Sequence, residues 1–176
     1  MINRDEYLFE ETQRYTQWWL WTTIGLIALG TNTLFGYGLF QQLVLGKPWG
    51  DKPASNTLLL ITTLGTVTLT TGMLLLFYYA ALETRISRYG LEYKYRPFIN
   101  SWKRIEREAI ASYSAKKQFV GGYGYRYTFR GALLLNVKGN QFVEVRTHAG
   151  TIINLGTQVP EKFIAALQQI SRSNSN

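Results

Sequence analysis

Two long runs of uncharged residues, separated by a short loop, constrain this chain more than any other feature. Residues 18–45 and 54–82 contain no Asp, Glu, Lys, Arg or His, and only residues 46–53 lie between them. A helix needs roughly 20 apolar residues to cross the hydrocarbon core of a bilayer. The sequence therefore predicts a transmembrane helical hairpin, with transmembrane helix 1 at 18–45, a short external loop at 46–53 and transmembrane helix 2 at 54–82.

The distribution of positive charge predicts the orientation of this hairpin. Residues 83–176 contain 15 Lys and Arg against 6 Asp and Glu, and Lys and Arg near the ends of a span favour the cytoplasmic side. Aromatic residues, which settle at membrane interfaces, cluster at 18–21 and 77–79, the two ends that a hairpin brings together. We therefore expect an integral membrane protein with both termini, including the segment 1–17, in the cytoplasm.

The residues inside the predicted spans indicate a membrane anchor rather than a channel or transporter. Neither run contains an ionisable residue, which argues against a proton relay, an ion path or a transport site. Gly65, Thr68 and Gly72 fall on one face of the second helix, where small residues let helix backbones approach closely. This helix-packing face has two interpretations, which are packing within the hairpin itself and contact with a partner helix or a second copy.

The sequence contains few of the residue types that commonly take part in catalysis. The chain has no cysteine, which excludes disulfides, thiolate chemistry and cysteine-ligated metal. Its one histidine, His148, lies in a predicted turn and is interpreted as solvated, so no Ser-His-Asp set can be assembled. We expect a protein that is not an enzyme, with no catalytic residue, no cofactor and no metal site.

After Glu83 the hydrophobic pattern changes from the helical period to the alternation of strands. Residues 101–115 fit either a strand or a short helix, and a strand near 109–116 is favoured. A helix is predicted from about Pro160, a residue suited to a first helical turn, and a polar tail follows at 171–176. Its apolar face comprises Phe163, Ala166, Leu167 and Ile170. The other predicted strands are 83–87, 91–96, 132–137, 141–147 and 151–156, with turns near Gly90, Gly139 and Gly150.

Six or seven short antiparallel strands followed by one amphipathic helix form a recognisable layout. Three segments sharpen it, namely GGYGYR at 121–126, VKGNQFVEV at 137–145 and INLGTQVPEKF at 153–163. Together with the hairpin they resemble an uncharacterised family of bacterial two-span membrane proteins with a pleckstrin-homology-like (PH-like) C-terminal domain.

This resemblance implies a fold and a location more than a function, since the family has no established activity. The implied fold class is an α+β membrane protein of the bacterial inner membrane. In it, the two-helix transmembrane hairpin is followed by a PH-like antiparallel β-barrel or sandwich at 83–170, with a C-terminal amphipathic helix. The chain departs from the family pattern at Tyr125, where a smaller apolar residue is usual, and at Glu144, within a strand that is often less charged.

Two segments of the predicted domain are candidates for binding. A dense group of cations near a membrane gains about 1 kcal/mol per charge from anionic lipid, although a solvated surface gives the same pattern. In GGYGYR the glycines indicate either a structural bulge or a headgroup or partner contact, for which Arg126 offers a planar fork that suits phosphate. The candidate contacts are Lys103, Arg104, Arg107, Lys116, Lys117 and Arg126.

The favoured function is that of a membrane accessory or scaffold protein in a larger membrane complex, whose PH-like domain binds another protein at the cytoplasmic face. Its expected partners are membrane lipids and either another membrane protein or further copies of itself. Nucleic acid is not expected, because no recognition motif accompanies the positive charge. The alternative is recognition of anionic lipid headgroups by the PH-like domain, and an enzyme of unknown type is the third hypothesis.

Overall fold

A computed structural model describes residues 7–117, 122–128 and 131–172. The chain forms two compact units. The hairpin unit comprises Thr16–Tyr78, and the β unit combines the residues up to Tyr15 with those from Tyr79 onward. The hairpin is therefore inserted into the β unit, between its first two strands. This corrects the predicted order, in which the hairpin precedes a domain at 83–170.

The hairpin unit consists of two long apolar helices. Helix α1 spans Trp18–Leu39 and continues as a π-helical turn at Phe40–Val44, and α2 spans Asn56–Tyr79. Both are long and apolar enough to cross a membrane. The second predicted span runs too far, because the uncharged residues after Tyr79 enter a strand. A run without charges does not mark where a helix ends when the next strand also begins with buried apolar residues.

The first sheet of the β unit is a four-stranded antiparallel meander. Its strands are β1 at Tyr7–Arg14, β2 at Ala81–Ser87, β3 at Gly90–Arg96 and β4 at Ile99–Glu106, in that order. The predicted strands at β2 and β3 are confirmed. Strand β1 was not predicted, and β4 resolves the first part of the ambiguous segment as strand.

The second sheet contains the remaining strands and has a mixed topology. A 3₁₀ turn at Arg107–Ala109 leads into it, and β7 pairs with β9 in parallel, which corrects the expectation of a wholly antiparallel domain. The sheet order is β5-β8-β9-β7-β6. The strands are β5 at Ile110–Lys117, β6 at Gly124–Tyr127, β7 at Leu133–Asn136, β8 at Gln141–Thr147 and β9 at Ile152–Gly156.

The C-terminal helix joins the two sheets. Helix α3 spans Pro160–Arg172 and contacts β1 and β2 of the first sheet and β5 and β8 of the second. Its predicted apolar face is confirmed, since all four of its residues are buried. The rings of Phe9 on β1 and Phe163 on α3 lie 4.9 Å apart between centroids. The protein is thus an α+β protein with a pair of apolar helices and a two-sheet unit closed by one helix.

Candidate functional site

Most of the cations predicted to contact a headgroup or a partner bond to the β unit itself. The Arg104 guanidinium donates a hydrogen bond of 2.7 Å to the Glu92 carboxylate, which raises the pKa of Arg104 above its ordinary value. The side chains of Lys103 and Lys117 are exposed and make no hydrogen bond or ion pair within the described residues. The other three bond as follows: Arg107 to Glu108 at 2.9 Å, Lys116 to Glu144 at 2.7 Å, and Arg126 to the Gly122 carbonyl at 2.8 Å.

These cations lie on different strands of the two sheets. Lys103 and Arg104 lie on β4, an edge of the first sheet, whereas Lys116 and Lys117 lie on β5, an edge of the second. At about 3.3 Å per residue, Lys116 lies about 20 Å along β5 from the turn that joins the two strands. Lysine on an edge strand opposes pairing with another chain. The cluster in the sequence is therefore explained by the protection of two sheet edges.

The outer face of the first sheet is a lattice of opposite charges. Arg85 pairs with Glu10 at 3.0 Å on the neighbouring strand, and its guanidinium lies 4.2 Å from the centroid of the Trp102 ring. Glu83 pairs with Arg96 on β3. The basic excess of the sequence is thus partly neutralised across the strands, which reduces its use for binding anions.

Glu144, at which the sequence departs from the family that it resembles, also pairs with side chains of opposite charge, here in the second sheet. Only 9% of the residue is exposed. Lys116 and Arg146 each donate a hydrogen bond to its carboxylate, at 2.7 Å and 2.8 Å. Burial disfavours the ionised carboxyl, but these two hydrogen bonds outweigh it and hold the pKa of Glu144 below its ordinary value. The charge in this strand therefore has a structural explanation.

The described part of the glycine-rich segment 121–126 leads into strand β6, which begins at Gly124. Gly121 lies outside the described residues, while Gly122 and Gly124 have φ angles of 118° and 126°, which glycine adopts without strain. These angles give both glycines a structural explanation. The segment also supplies aromatic rings to a cluster, since Tyr125 stacks on Phe98 with centroids 6.1 Å apart.

The helix-packing face predicted at Gly65, Thr68 and Gly72 is not the face that packs within the hairpin. All three residues are exposed, and a Cβ added to either glycine meets no atom within 4 Å. The two helices instead meet along a seam that buries Ile24 and Ala28 of α1 and Leu59 and Thr63 of α2.

A polar contact that the sequence analysis missed lies on this seam. The Asn32 side-chain amide donates to the Thr70 hydroxyl at 3.1 Å, and Thr70 in turn donates to the Thr66 carbonyl at 2.8 Å. The small-residue face lies outside this contact. Contact of that face with a partner helix or a second copy stays a prediction.

Sequence reasoning also missed a groove between β1 and α3. It has a volume of about 480 Å³, and the exposed side chain of Leu8 lies on its β1 side. In the described residues β1 pairs only with β2, so it is an edge strand beside this groove. The lining includes Leu8, Phe9, Val159, Lys162, Ala165 and Gln169.

Polar side chains of β1 fix this edge strand to the start of α3. Glu11 accepts hydrogen bonds from the Thr157 hydroxyl at 2.6 Å and from the Gln158 main-chain N–H at 2.9 Å. The Gln13 amide donates to the Gly156 carbonyl at 2.6 Å. The β1–α3 groove is therefore bounded by a fixed strand and a fixed helix.

The remaining candidates for chemistry are few. His148 is exposed in a turn, where its main-chain N–H bonds the Ala109 carbonyl at 2.9 Å. Across residues 7–117, 122–128 and 131–172, no group of three or more His, Cys, Asp and Glu is arranged to hold a metal ion. Comparison with known proteins found no matching family model, no matching curated protein and no matching solved structure. Functional conclusions therefore depend on the residues of this chain.

Proposed function

We propose that this protein is a membrane-anchored accessory protein whose β unit binds an extended segment of another protein in the β1–α3 groove. The observation that supports this best is the edge strand β1 beside a groove lined by both apolar and polar side chains, Glu10 and Lys162 among them. An unpaired strand edge presents main-chain donors and acceptors that an extended peptide can pair with. The groove gives the same peptide a place for one of its side chains.

The sequence of β1 distinguishes it from the other sheet edges. Strand β4 carries Lys103 and Arg104, β5 carries a pair of lysines and β6 carries Arg126, whereas β1 contains no lysine and its only arginine is the terminal Arg14. Edges that avoid pairing usually carry charged side chains, above all lysine. The absence of lysine from β1, next to a groove, favours strand addition at this edge.

The lining of the groove suggests the chemistry of the occupant. Leu8, Val159 and Ala165 offer apolar surface, and Lys162 stands on the exposed side of α3. We therefore propose a partner strand with one apolar side chain for the groove and an acidic residue near Lys162. This mode of binding suits a PH-like domain, which is our interpretation of the four-stranded meander, the second sheet and the closing helix.

The hairpin supports the membrane anchor in this proposal. Its helices are apolar around most of their circumference, and exposed side chains such as Leu29, Leu69 and Ile61 need an apolar environment. We propose that it spans the bacterial inner membrane with both termini in the cytoplasm. The exposed face at Gly65, Thr68 and Gly72 then adjoins either lipid or a helix of the partner complex.

Headgroup recognition by the six predicted cations has weaker support. Arg104, Lys116 and Arg107 already bond carboxylates, so a phosphate must compete with those ion pairs. The six cations are also distributed over both sheets. We therefore favour the protein-binding function over the lipid-binding alternative.

A photocrosslinking experiment tests the proposal on the full-length protein in native membranes. A benzoyl-phenylalanine at Val159, in the groove, should form crosslinks that map to one extended segment of a membrane protein, and one at the exposed Ser114 of β5 should not. Leu8→Lys adds an edge lysine and should abolish the crosslink at 159, while the matched control Ser114→Lys should leave it unchanged. Crosslinks that occur only between copies of this chain, or that survive Leu8→Lys, contradict the proposal, as does purification in mild detergent of a lone monomer.

A further inference from the structure

We infer that one end of the β unit carries an aromatic rim, formed by Phe98, Tyr125 and Tyr127, that inserts into the headgroup layer of a phospholipid bilayer. This inference rests on the proposed membrane anchor and adds a second contact of the protein with lipid. It concerns a different surface from both the β1–α3 groove and the six predicted cations.

The strand register defines the end of the β unit where the rim lies. Arg14 at the end of β1 pairs with Ala81 at the start of β2, and Ala81 pairs with Arg96 at the end of β3. Phe98 lies in the turn directly after Arg96. Phe98 is therefore at the same end of the first sheet as the two points where the chain leaves for the hairpin and returns from it.

The rings of the rim form a continuous stack that is held in place from the inside. Tyr95 is buried, and its hydroxyl shares a hydrogen bond of 2.8 Å with the Tyr15 hydroxyl. Phe98 stacks on Tyr95 with centroids 5.8 Å apart and on Tyr125 at 6.1 Å. The Tyr125 and Tyr127 hydroxyls lie 3.2 Å apart. The rim is thus a fixed surface rather than a set of independent side chains.

The exposure of these rings is unfavourable in water. Phe98 is 59% exposed and Tyr127 is 64% exposed, although both belong to an aromatic stack. Rings with an apolar body and a polar hydroxyl settle at membrane interfaces. Arg14 lies at the same end of the first sheet and is exposed, so it can attract lipid phosphates. A headgroup layer therefore matches both the apolar and the charged groups present.

The segments that connect this end to the hairpin are short. Only residues 16 and 17 lie between Tyr15 and the first residue of α1, and only Ala80 lies between α2 and β2. The extended chain from Tyr15 to Trp18, a step of three residues, covers at most about 11 Å. The opposite end of the first sheet carries the β2–β3 turn at Arg88 and Tyr89, and Tyr89 is also exposed. Tyr89 is thus an exposed aromatic residue that can serve as a control for the rim, at the end of the first sheet away from the connections to the hairpin.

Site-directed spin labelling tests the inference, because the chain has no native cysteine. The full-length variants Phe98→Cys, Tyr127→Cys, Tyr89→Cys and Leu69→Cys are labelled with a nitroxide and reconstituted in vesicles of phosphatidylethanolamine and phosphatidylglycerol. Collision rates with oxygen, which partitions into lipid, are then compared with those of a water-soluble nickel chelate. The label at 69 reports the hairpin, the labels at 98 and 127 report the rim, and the label at 89 is the aqueous control.

We expect the ratio of oxygen to nickel collisions to be several-fold higher at 98 and 127 than at 89, and highest at 69. If the collision ratios at 98 and 127 both equal the ratio at 89, while the label at 69 is deep in lipid, the rim inference is wrong and the membrane anchor is unaffected. If 69 itself reads as water, the anchor fails and the rim inference fails with it. Testing two rim positions guards against a local disturbance by either substitution.

Discussion

The side-chain amide of Gln13 donates a hydrogen bond of 2.6 Å to the main-chain carbonyl of Gly156, 143 positions further along the chain. Gln13 is buried, and it lies on the strand that precedes the hairpin. This contact joins two parts of the β unit that are far apart in sequence. The unit is discontinuous because the two apolar helices lie between its first and second strands. The hairpin therefore interrupts the β unit rather than preceding it.

Gln13→Ala tests the contribution of this contact. We expect the substitution to lower the free energy of unfolding by about 1–2 kcal/mol, since it removes a buried hydrogen bond and leaves a small cavity. Urea unfolding of the full-length protein in mild detergent, followed by circular dichroism, measures the change. Thr12→Ala on the same strand is the control, because Thr12 is exposed and should change stability little. Equal effects of the two substitutions would show that the Gln13 contact is unimportant.

The discontinuity also predicts which fragment of the protein folds. A chain of residues 79–176 lacks β1, so the edge of β2 and the ring of Phe163 lose their partners. We expect this fragment to aggregate, and a chain that joins residues 1–15 to 79–176 through a flexible linker to be soluble and folded. Size-exclusion chromatography and amide hydrogen exchange compare the two. A monomeric and well-protected 79–176 fragment contradicts the role given to β1.

The ion pairs of Glu144 predict a specific dependence of stability on pH. The pKa of Glu144 in the folded protein is below its unfolded value of about 4.3. Its contribution is therefore present above that value and is lost as the pH falls through the folded pKa. At neutral pH, Glu144→Gln should lower the free energy of unfolding by on the order of 1–2 kcal/mol.

Unfolding by urea over a range of pH measures this effect. The difference between the native protein and Glu144→Gln should shrink in acid, when the carboxyl of the native protein is also protonated. Glu161→Gln, at an exposed position in the first turn of α3, is the matched control and should show a smaller difference throughout. A Glu144→Gln difference that stays constant into acid contradicts the ion-pair explanation.

The Asn32–Thr70 hydrogen bond predicts an energetic coupling between the two helices of the hairpin. A double-mutant cycle of Asn32→Val and Thr70→Val should give a coupling of about 0.6 kcal/mol, the size typical of side-chain hydrogen bonds between membrane helices. Unfolding in mixed detergent micelles provides the free energies. The cycle of Asn32→Val with Thr68→Val should give no coupling, because Thr68 is exposed outside the seam. Equal couplings in the two cycles contradict the contact.

Features of the fold that depend on local sequence were predictable, and those that depend on distant partners were not. Helix α3 was predicted because its apolar face recurs at helical spacing within one short segment. Strand β1 was missed because two of its inward-facing residues, Glu11 and Gln13, are polar and hide the alternation. Their hydrogen-bond partners are at residues 156–158, so no pattern near β1 reveals them.

The candidate site was less predictable for the same reason. The sequence places Arg104 in a basic cluster, but the β3–β4 register puts it opposite Glu92. The face at Gly65, Thr68 and Gly72 was recognised as small, but the side chains that bond between the helices include Asn32 and Thr70 instead. Composition identifies groups that can interact, whereas the register of strands and the rotation of helices decide which of them meet.

The orientation of the hairpin is the last prediction, and single cysteines can measure it because the chain has none of its own. Ser55 precedes α2 in the loop between the helices, and Ser114 is exposed on β5 of the β unit. The positive charge of the β unit favours the cytoplasmic side. In intact spheroplasts, a membrane-impermeant maleimide should therefore label Ser55→Cys and should label Ser114→Cys only after the membrane is permeabilised. Labelling of Ser114→Cys in intact cells, with Ser55→Cys protected, would reverse the orientation and place the β1–α3 groove and its partner outside the cytoplasm.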